Sequence, residues 1–192
     1  MWYTAYTNSM PRASDAKKMT AAEYLDFEAK AQVKHEFVDG FVFAMAGAGN
    51  AHNLISGNIF AQVRLAARDS ACRAYISDMK LAVSDDTYYY PDVFVTCDDL
   101  DANIKQNACF VVEILSDSTS DIDRGEKLRN YRKLSSLQAY ILVSQKNELV
   151  EVYRRLDDGS WRHDIVEEGS IELPCLGLEL SLEDIYEDVF EN

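Results

Sequence analysis

The stretch VVEILSDSTSDIDRGEKLRNYRKLSSLQAYILV, Val111 to Val143, holds two apolar runs separated by a polar segment. The first run, ACFVVEILS, has the length and β-branched content of a buried strand. SDSTSD offers several N-cap residues, DRGEKLRNYRKL then reads as a helix, and QAYILVS reads as a second strand. A strand–helix–strand unit of this length predicts a crossover between parallel strands of one sheet. Glu113 interrupts the apolar pattern, and alternation puts it on the same face as Val111 and Leu115.

Upstream lies a second strand with an acid in an apolar setting: YYYPDVFVT, Tyr88 to Thr96. Alternation sets Asp92, Phe94 and Thr96 opposite Val93 and Val95. Burying a carboxylate without a partner is costly, so Asp92 needs one. Before it, RAYISDMKLAV reads as one alternating strand, with Tyr75, Met79, Leu81 and Val83 on one face and Ile76, Asp78 and Lys80 on the other. The SDDTY turn then leads into Tyr88.

Nearer the N-terminus, Thr20 and Glu23 form a capping box that opens a helix of about ten residues. HEFVDGFVFAMA reads as a hairpin turning at Asp39-Gly40, with Glu36 on its first strand or at the junction with the helix before it. From His52 to about Arg68, Ile55, Ile59 and Val63 mark an amphipathic helix. CDDLDANIKQN reads as a loop. Beyond Val143, ELVEVYRR, SWRHDIVEE and SIELPCLGLEL read as antiparallel strands with a DDG turn, and SLEDIYEDVF as a short closing helix. The pattern predicts one α+β domain over residues 19–192: a helix, a strand hairpin, a parallel crossover, a mixed sheet and C-terminal antiparallel strands. Residues 1–18 carry no signal-peptide pattern and read as a flexible leader.

The chain has 192 residues and a net charge of −14, which argues against a polyanionic partner. The charge is uneven: residues 148–192 hold 14 acidic and 3 basic side chains, whereas residues 1–147 are nearly balanced. No apolar run reaches the roughly 18 residues of a membrane span. Cys72, Cys97, Cys109 and Cys175 are scattered, with no Cys-x-x-Cys pair. That spacing predicts reduced thiols rather than a disulfide framework or a zinc site, and a cytoplasmic setting.

Asp92 and Glu113 can share one face if the strand register brings them together. Two carboxylates at close range repel, and a divalent metal resolves the conflict. Mg²⁺ typically takes one or two protein carboxylates and leaves positions for water and phosphate oxygens. The plainer reading has Asp92 capping a turn and Glu113 pairing with a surface Lys or Arg.

YPDV followed by VVEIL resembles the PD-(D/E)XK nuclease superfamily. More closely, the chain resembles a bacterial family of restriction-endonuclease-like proteins expanded in cyanobacteria. The motifs MTAAEYLDFE, HEFVDGFVFAMAGAGNAHNLISGNI, YISDMKLAV, YYYPDVFVTC, the Val111–Val143 block and VEVYRR carry the resemblance, in the family's order, and the tail ELPCLGLELSLEDIY also fits. The resemblance implies an endonuclease that hydrolyses DNA phosphodiester bonds with Mg²⁺ or Mn²⁺. Asp92 and Glu113 would hold the metal, with the Ile114 carbonyl as a third ligand. The superfamily's lysine two residues after the glutamate is replaced here by Leu115, and the resemblance moves that role to Lys127 on the following helix. Lys80, in SDMK, competes for the role but precedes the PD motif. Glu36 matches the acidic residue that often stands ahead of PD, and the alternative for it is a pair with Lys34 or Arg73. His52 stands at a helix start suited to a substrate phosphate, and the plainer reading makes it a local hydrogen-bonding residue. The resemblance also implies a homodimer, with Tyr153 and Trp161 in the C-terminal half available for its surface. A catalytically weak or inactive binding or regulatory module and a small-molecule phosphodiesterase are the competing readings.

Overall fold

YYYPDVFVT does not run straight. In the computed structural model, which describes residues 18–98 and 102–190, Tyr88 and Tyr89 belong to one sheet and Val93–Thr96 to another, with Pro91-Asp92 at the bend. RAYISDMKLAV breaks at the same place, so the single strand expected there is two strands in two sheets. The cause is a contact between the two bends. Ser77 takes a left-handed φ of 51°, and its N–H donates to the Asp92 carbonyl at 3.0 Å, tying one bend to the other.

The first half of the chain contains α1 (Ala21–Glu28), β1 (His35–Val38), β2 (Phe41–Ala44), α2 (Asn50–Ala66), β3 (Arg73–Ile76), β4 (Lys80–Ser84), β5 (Thr87–Tyr89) and β6 (Val93–Thr96). The expected Thr20–Glu23 capping box forms, and Asp39 and Gly40 make the β1–β2 turn with φ of 51° and 89°. Within the segment expected as loop, Ile104–Lys105 forms a short strand, β7, parallel to β4. Then come β8 (Phe110–Leu115), α3 (Ser120–Ile122), a π-helical turn (Asp123–Lys127), α4 (Leu128–Tyr131), β9 (Ala139–Ser144), β10 (Val150–Arg155) and β11 (Trp161–Val166). β12 (Ser170–Leu173) and β13 (Leu178–Ser181) make a separate hairpin, and the closing helix shrinks to α5 (Leu182–Ile185). The leader up to residue 17 lies outside the described residues.

The large sheet has the order β11-β10-β9-β8-β6-β3 and the smaller one β2-β1-β5-β4-β7. β8 and β9 pair in parallel, as the crossover predicts, and every residue of both is buried. On one face of the large sheet, Ile55, Ile59 and Val63 of α2 pack over Val93, Val95, Val112 and Ile114. On the other face Phe94, Val111, Leu115 and Leu142 meet Leu81 and Tyr89 of the smaller sheet, with Leu128 and Tyr131 from the crossover. Burial of each such aliphatic side chain stabilises the fold by about 1.5–3 kcal/mol. Glu113 shares its face with Val111 and Leu115, so its carboxylate enters the layer between the two sheets.

The four cysteines correct the expectation of free thiols. Antiparallel pairing of β3 with β6 matches Arg73 to Thr96, which brings Cys72 to Cys97, and these two form a disulfide. Cys109 and Cys175 are also brought together, across 66 residues of sequence. Sequence spacing is blind to such pairings because strand register and long-range packing create them. Among the described residues no helix is long and apolar enough to cross a membrane.

Candidate active site

The bend at Pro91 leaves Asp92 just ahead of β6, where its carboxylate reaches across to β8. Asp92 Oδ2 accepts the Ile114 N–H at 2.8 Å, and the Asp92 N–H lies 3.4 Å from Glu113 Oε2. The register thus brings the two carboxylates together, as alternation along both strands predicts. In a strand the N–H and C=O of one residue face the same edge, so the Ile114 carbonyl also looks toward Asp92. Asp92 Oδ1 accepts from His52 Nε2 at 3.0 Å, with His52 in the first turn of α2. Helix α2 therefore serves the site through its N-terminal turn while its apolar face builds the core.

Glu113 Oε1 accepts from the Lys127 ammonium at 3.1 Å and from the Tyr131 hydroxyl at 2.9 Å. Lys127 and Tyr131 are four residues apart on one helical face, which is the spacing that lets both reach a single oxygen. Lys127 Nζ also stands 2.9 Å from Glu36 Oε1 and 3.4 Å from Asp123 Oδ1. Glu36 sits on β1 and pairs with Lys127, not with Lys34 or Arg73. The side chains of Glu113, Lys127 and Asp123 are 4%, 7% and 2% exposed, while Asp92 and Glu36 are each 15% exposed. The exposed rim of the cluster is therefore on the Asp92 and Glu36 side.

Asp123 is the residue that sequence reasoning missed. Its available signal was the i,i+4 spacing to Lys127 in DRGEK. The π-helical turn turns both side chains inward, and Tyr140 on β9 holds the turn by donating to the Asp123 carbonyl at 3.1 Å. Such turns within helices recur at functional sites. Lys80 is not brought into the cluster: its ammonium stands over the Tyr90 ring, 5.0 Å from the centroid.

Three carboxylates, Glu113, Glu36 and Asp123, thus surround one lysine, with Asp92 beside Glu113 as a fourth acid. Burial pushes the Glu113 carboxyl well above its ordinary pKa, and Asp92, Asp123 and Glu36 add to the effect against the pull of Lys127. Burial also raises Asp123. For Lys127, burial alone acts downward, but Glu113, Glu36 and Asp123 outweigh it and hold the side chain as an ammonium. Tyr131 is held as a neutral phenol by burial and by Glu113, so it donates to that carboxylate. Glu36 Oε1 and Asp123 Oδ1 are buried without any aligned hydrogen-bond donor. One ammonium faces three carboxyl groups here, so their charge is balanced by protonation of a carboxyl or by a further cation.

Among the described residues no three His, Cys, Asp or Glu side chains converge as a ready metal cage. Asp92, Glu113 and the Ile114 carbonyl instead make the sparse, all-oxygen donor set that suits Mg²⁺ completed by water and phosphate oxygens. The donor set fits that ion.

The family model described as Uma2, "Putative restriction endonuclease", matches residues 21–183. An uncharacterized Synechocystis protein, slr1290, is 36% identical over 174 residues, covering 88% of this chain and 92% of that one. A second, sll1609, is 34% identical over 151 residues, covering 76% and 85%. The crystal structure of a "putative nuclease belonging to DUF820" from Anabaena variabilis superposes with a TM-score of 0.76 at 18% identity, over 90% of this chain and 99% of that one. That likeness establishes a shared nuclease-like α+β fold. With the family model spanning most of the chain and two relatives above 30% identity, the protein belongs to the Uma2 family of restriction-endonuclease-like proteins.

Proposed function

We propose that the protein is a Mg²⁺- or Mn²⁺-dependent endonuclease that hydrolyses DNA phosphodiester bonds. The observation that carries this reading is the cluster of carboxylates around Lys127, with the buried Glu113 beside Asp92 at its more open rim. Asp92, Glu113 and the Ile114 carbonyl would hold the metal. When bound, the ion polarises the phosphate and acidifies a water molecule. Tyr131 and Lys127 orient Glu113 from behind, leaving its Oε2 directed toward Asp92. Glu113, Glu36 and Asp123 hold Lys127 as an ammonium. In this reading its positive charge offsets negative charge building on the phosphate. His52 holds Asp92 from the other side.

Nicking of supercoiled plasmid at low salt, with Mg²⁺ or Mn²⁺, tests the reading. Metal-dependent nicking by the wild type that is absent from Asp92→Ala supports it. No nicking under any metal moves the weight to the second reading, a nuclease fold kept as a binding or regulatory module. The net charge of −14 favours that alternative, since polyanions bind poorly to such a surface.

A further inference from the structure

A cavity of about 100 Å³ opens at the carboxyl ends of β8 and β9, lined by Leu115, Ser116, Ser120, Arg124, Ser144 and Lys146. The two strands are parallel there, with Leu115 opposite Ser144. The crevice beyond the carboxyl ends of parallel strands is a common seat for ligands. Three hydroxyls, a guanidinium and an ammonium make a lining rich in donors, the chemistry that recognises a phosphate group.

Arg124 comes from the same π-helical turn as Lys127 and is pre-oriented. Its Nε and Nη2 lie 2.7 and 2.6 Å from Glu151 Oε1. Glu151 is itself buried, accepts the Tyr153 hydroxyl at 3.2 Å and lies 3.3 Å from His163 Nε2. The guanidinium is thus clamped from one side, and its other N–H groups are left for a ligand, since arginine carries five. The Arg124 side chain is 42% exposed. The acid lining the cavity, Asp117, pairs with Lys146, and both are more than two-thirds exposed, so the pair holds only weakly.

The cavity is placed to work with the candidate active site. Leu115 lies two residues beyond Glu113 on the same strand face, about 7 Å along β8. Glu113, Leu142 and Glu151 form one row across β8, β9 and β10. The pairs Lys127–Glu113 and Arg124–Glu151 therefore stand side by side, about 10 Å apart. We propose that this cavity seats a second backbone phosphate of the DNA strand whose scissile phosphate lies at Asp92 and Glu113, with Arg124 and Lys146 as its binding residues. The proposal rests on the nuclease reading above.

The test is anisotropy of a labelled DNA oligonucleotide over a KCl series, in an Asp92→Asn background that suppresses cleavage. Arg124→Met is combined with Glu151→Gln, so that no carboxylate is left buried without its partner, and Glu151→Gln alone is the control. Loss of one phosphate contact makes the slope of log K against log salt shallower by about 0.9 on duplex, or about 0.7 on a single strand. Arg124→Lys should keep most of the slope. Lys146→Met, at an exposed position, should also flatten it and does not depend on the buried pair. Thermal melts of each variant separate lost binding from lost fold. A parent that binds DNA with a slope unmoved in both the double variant and Lys146→Met overturns the proposal and leaves the nuclease reading standing. Competition by inorganic phosphate that vanishes in the double variant, with the DNA slope unmoved, also overturns it, because the cavity would then serve free anions only. A parent without DNA affinity, together with a wild type that never nicks plasmid, removes both readings.

Discussion

Asp92 and Ile114 are joined by a 2.8 Å hydrogen bond from the Ile114 N–H to Asp92 Oδ2, across the gap where β6 has not yet begun. This bond aims the aspartate at the backbone next to Glu113 and answers why an acid follows Pro91 in an apolar stretch. Asp92 is a bridge between strands and not a turn cap. Its second oxygen is held by His52, so the carboxylate is fixed before any ligand arrives.

Replacing Asp92 by Ala is expected to reduce plasmid nicking by on the order of 10³-fold or more, the scale on which single catalytic groups act. The same variant should lose the rise in melting temperature that Mn²⁺ gives the wild type. Thermal melts with and without Mn²⁺ check this without reference to activity.

Lys127→Met removes the ammonium in contact with Glu36, Glu113 and Asp123. Leaving those carboxylates buried against one another should destabilise the protein by about 3–5 kcal/mol. For a chain of this length, that lowers Tm by on the order of 10 °C. Lowering the pH should restore part of the loss, because protonation relieves the repulsion. A melt series from pH 7 to pH 5 reads this directly, and an unchanged Tm at pH 7 would sink the charge-cage description.

Asp123→Asn keeps the shape of the π-helical turn but frees Lys127 from one of its three carboxylates. Residues that orient a metal-site ligand typically act at about 10–100-fold in activity or metal affinity. A loss of that size in nicking is expected, with little change in Tm since one buried negative charge is removed. Tyr131→Phe should resemble it in activity. It should also cost about 1.5–3 kcal/mol of stability, because a hydrogen bond to a charged oxygen is lost. Denaturant titration distinguishes the two variants.

The Tyr186 hydroxyl donates to the carbonyls of Ser144 and Leu149 and accepts the Leu149 N–H. Burial pushes its pKa up to about 12. A phenol whose folded pKa exceeds its unfolded value near 10 stabilises the fold fully below pH 10 and loses that contribution as pH rises through 12. Tyr186→Phe should therefore be less stable than the wild type at pH 8, and the difference should shrink between pH 10 and pH 12. Urea melts at both ends of that window, with phenolate absorbance followed in parallel, check the sign.

Much of the architecture was legible in the chain because its signals are short-ranged. The Thr20–Glu23 box, the Asp39-Gly40 turn, the Ile55–Ile59–Val63 stripe and the parallel crossover from Val111 to Val143 all follow from periods of about 3.6 or 2 residues and from local caps. The same periods put Asp92 and Glu113 on facing sides of adjacent strands, and Lys127 and Tyr131 on one helical face. What only the tertiary structure decided was which distant residues those faces meet. The break at Ser77 depends on the Asp92 carbonyl, the partner of Glu36 is Lys127 from 91 positions later, and Asp123 is buried because a π-helical turn rotates it inward. Cys72 meets Cys97 through strand register, and Lys80 is carried off to Tyr90 by the same break that places Asp92. Alternation and helical periodicity specify a direction for each side chain. The partner at the end of that direction is set by long-range packing, through strand order and register that no local window contains.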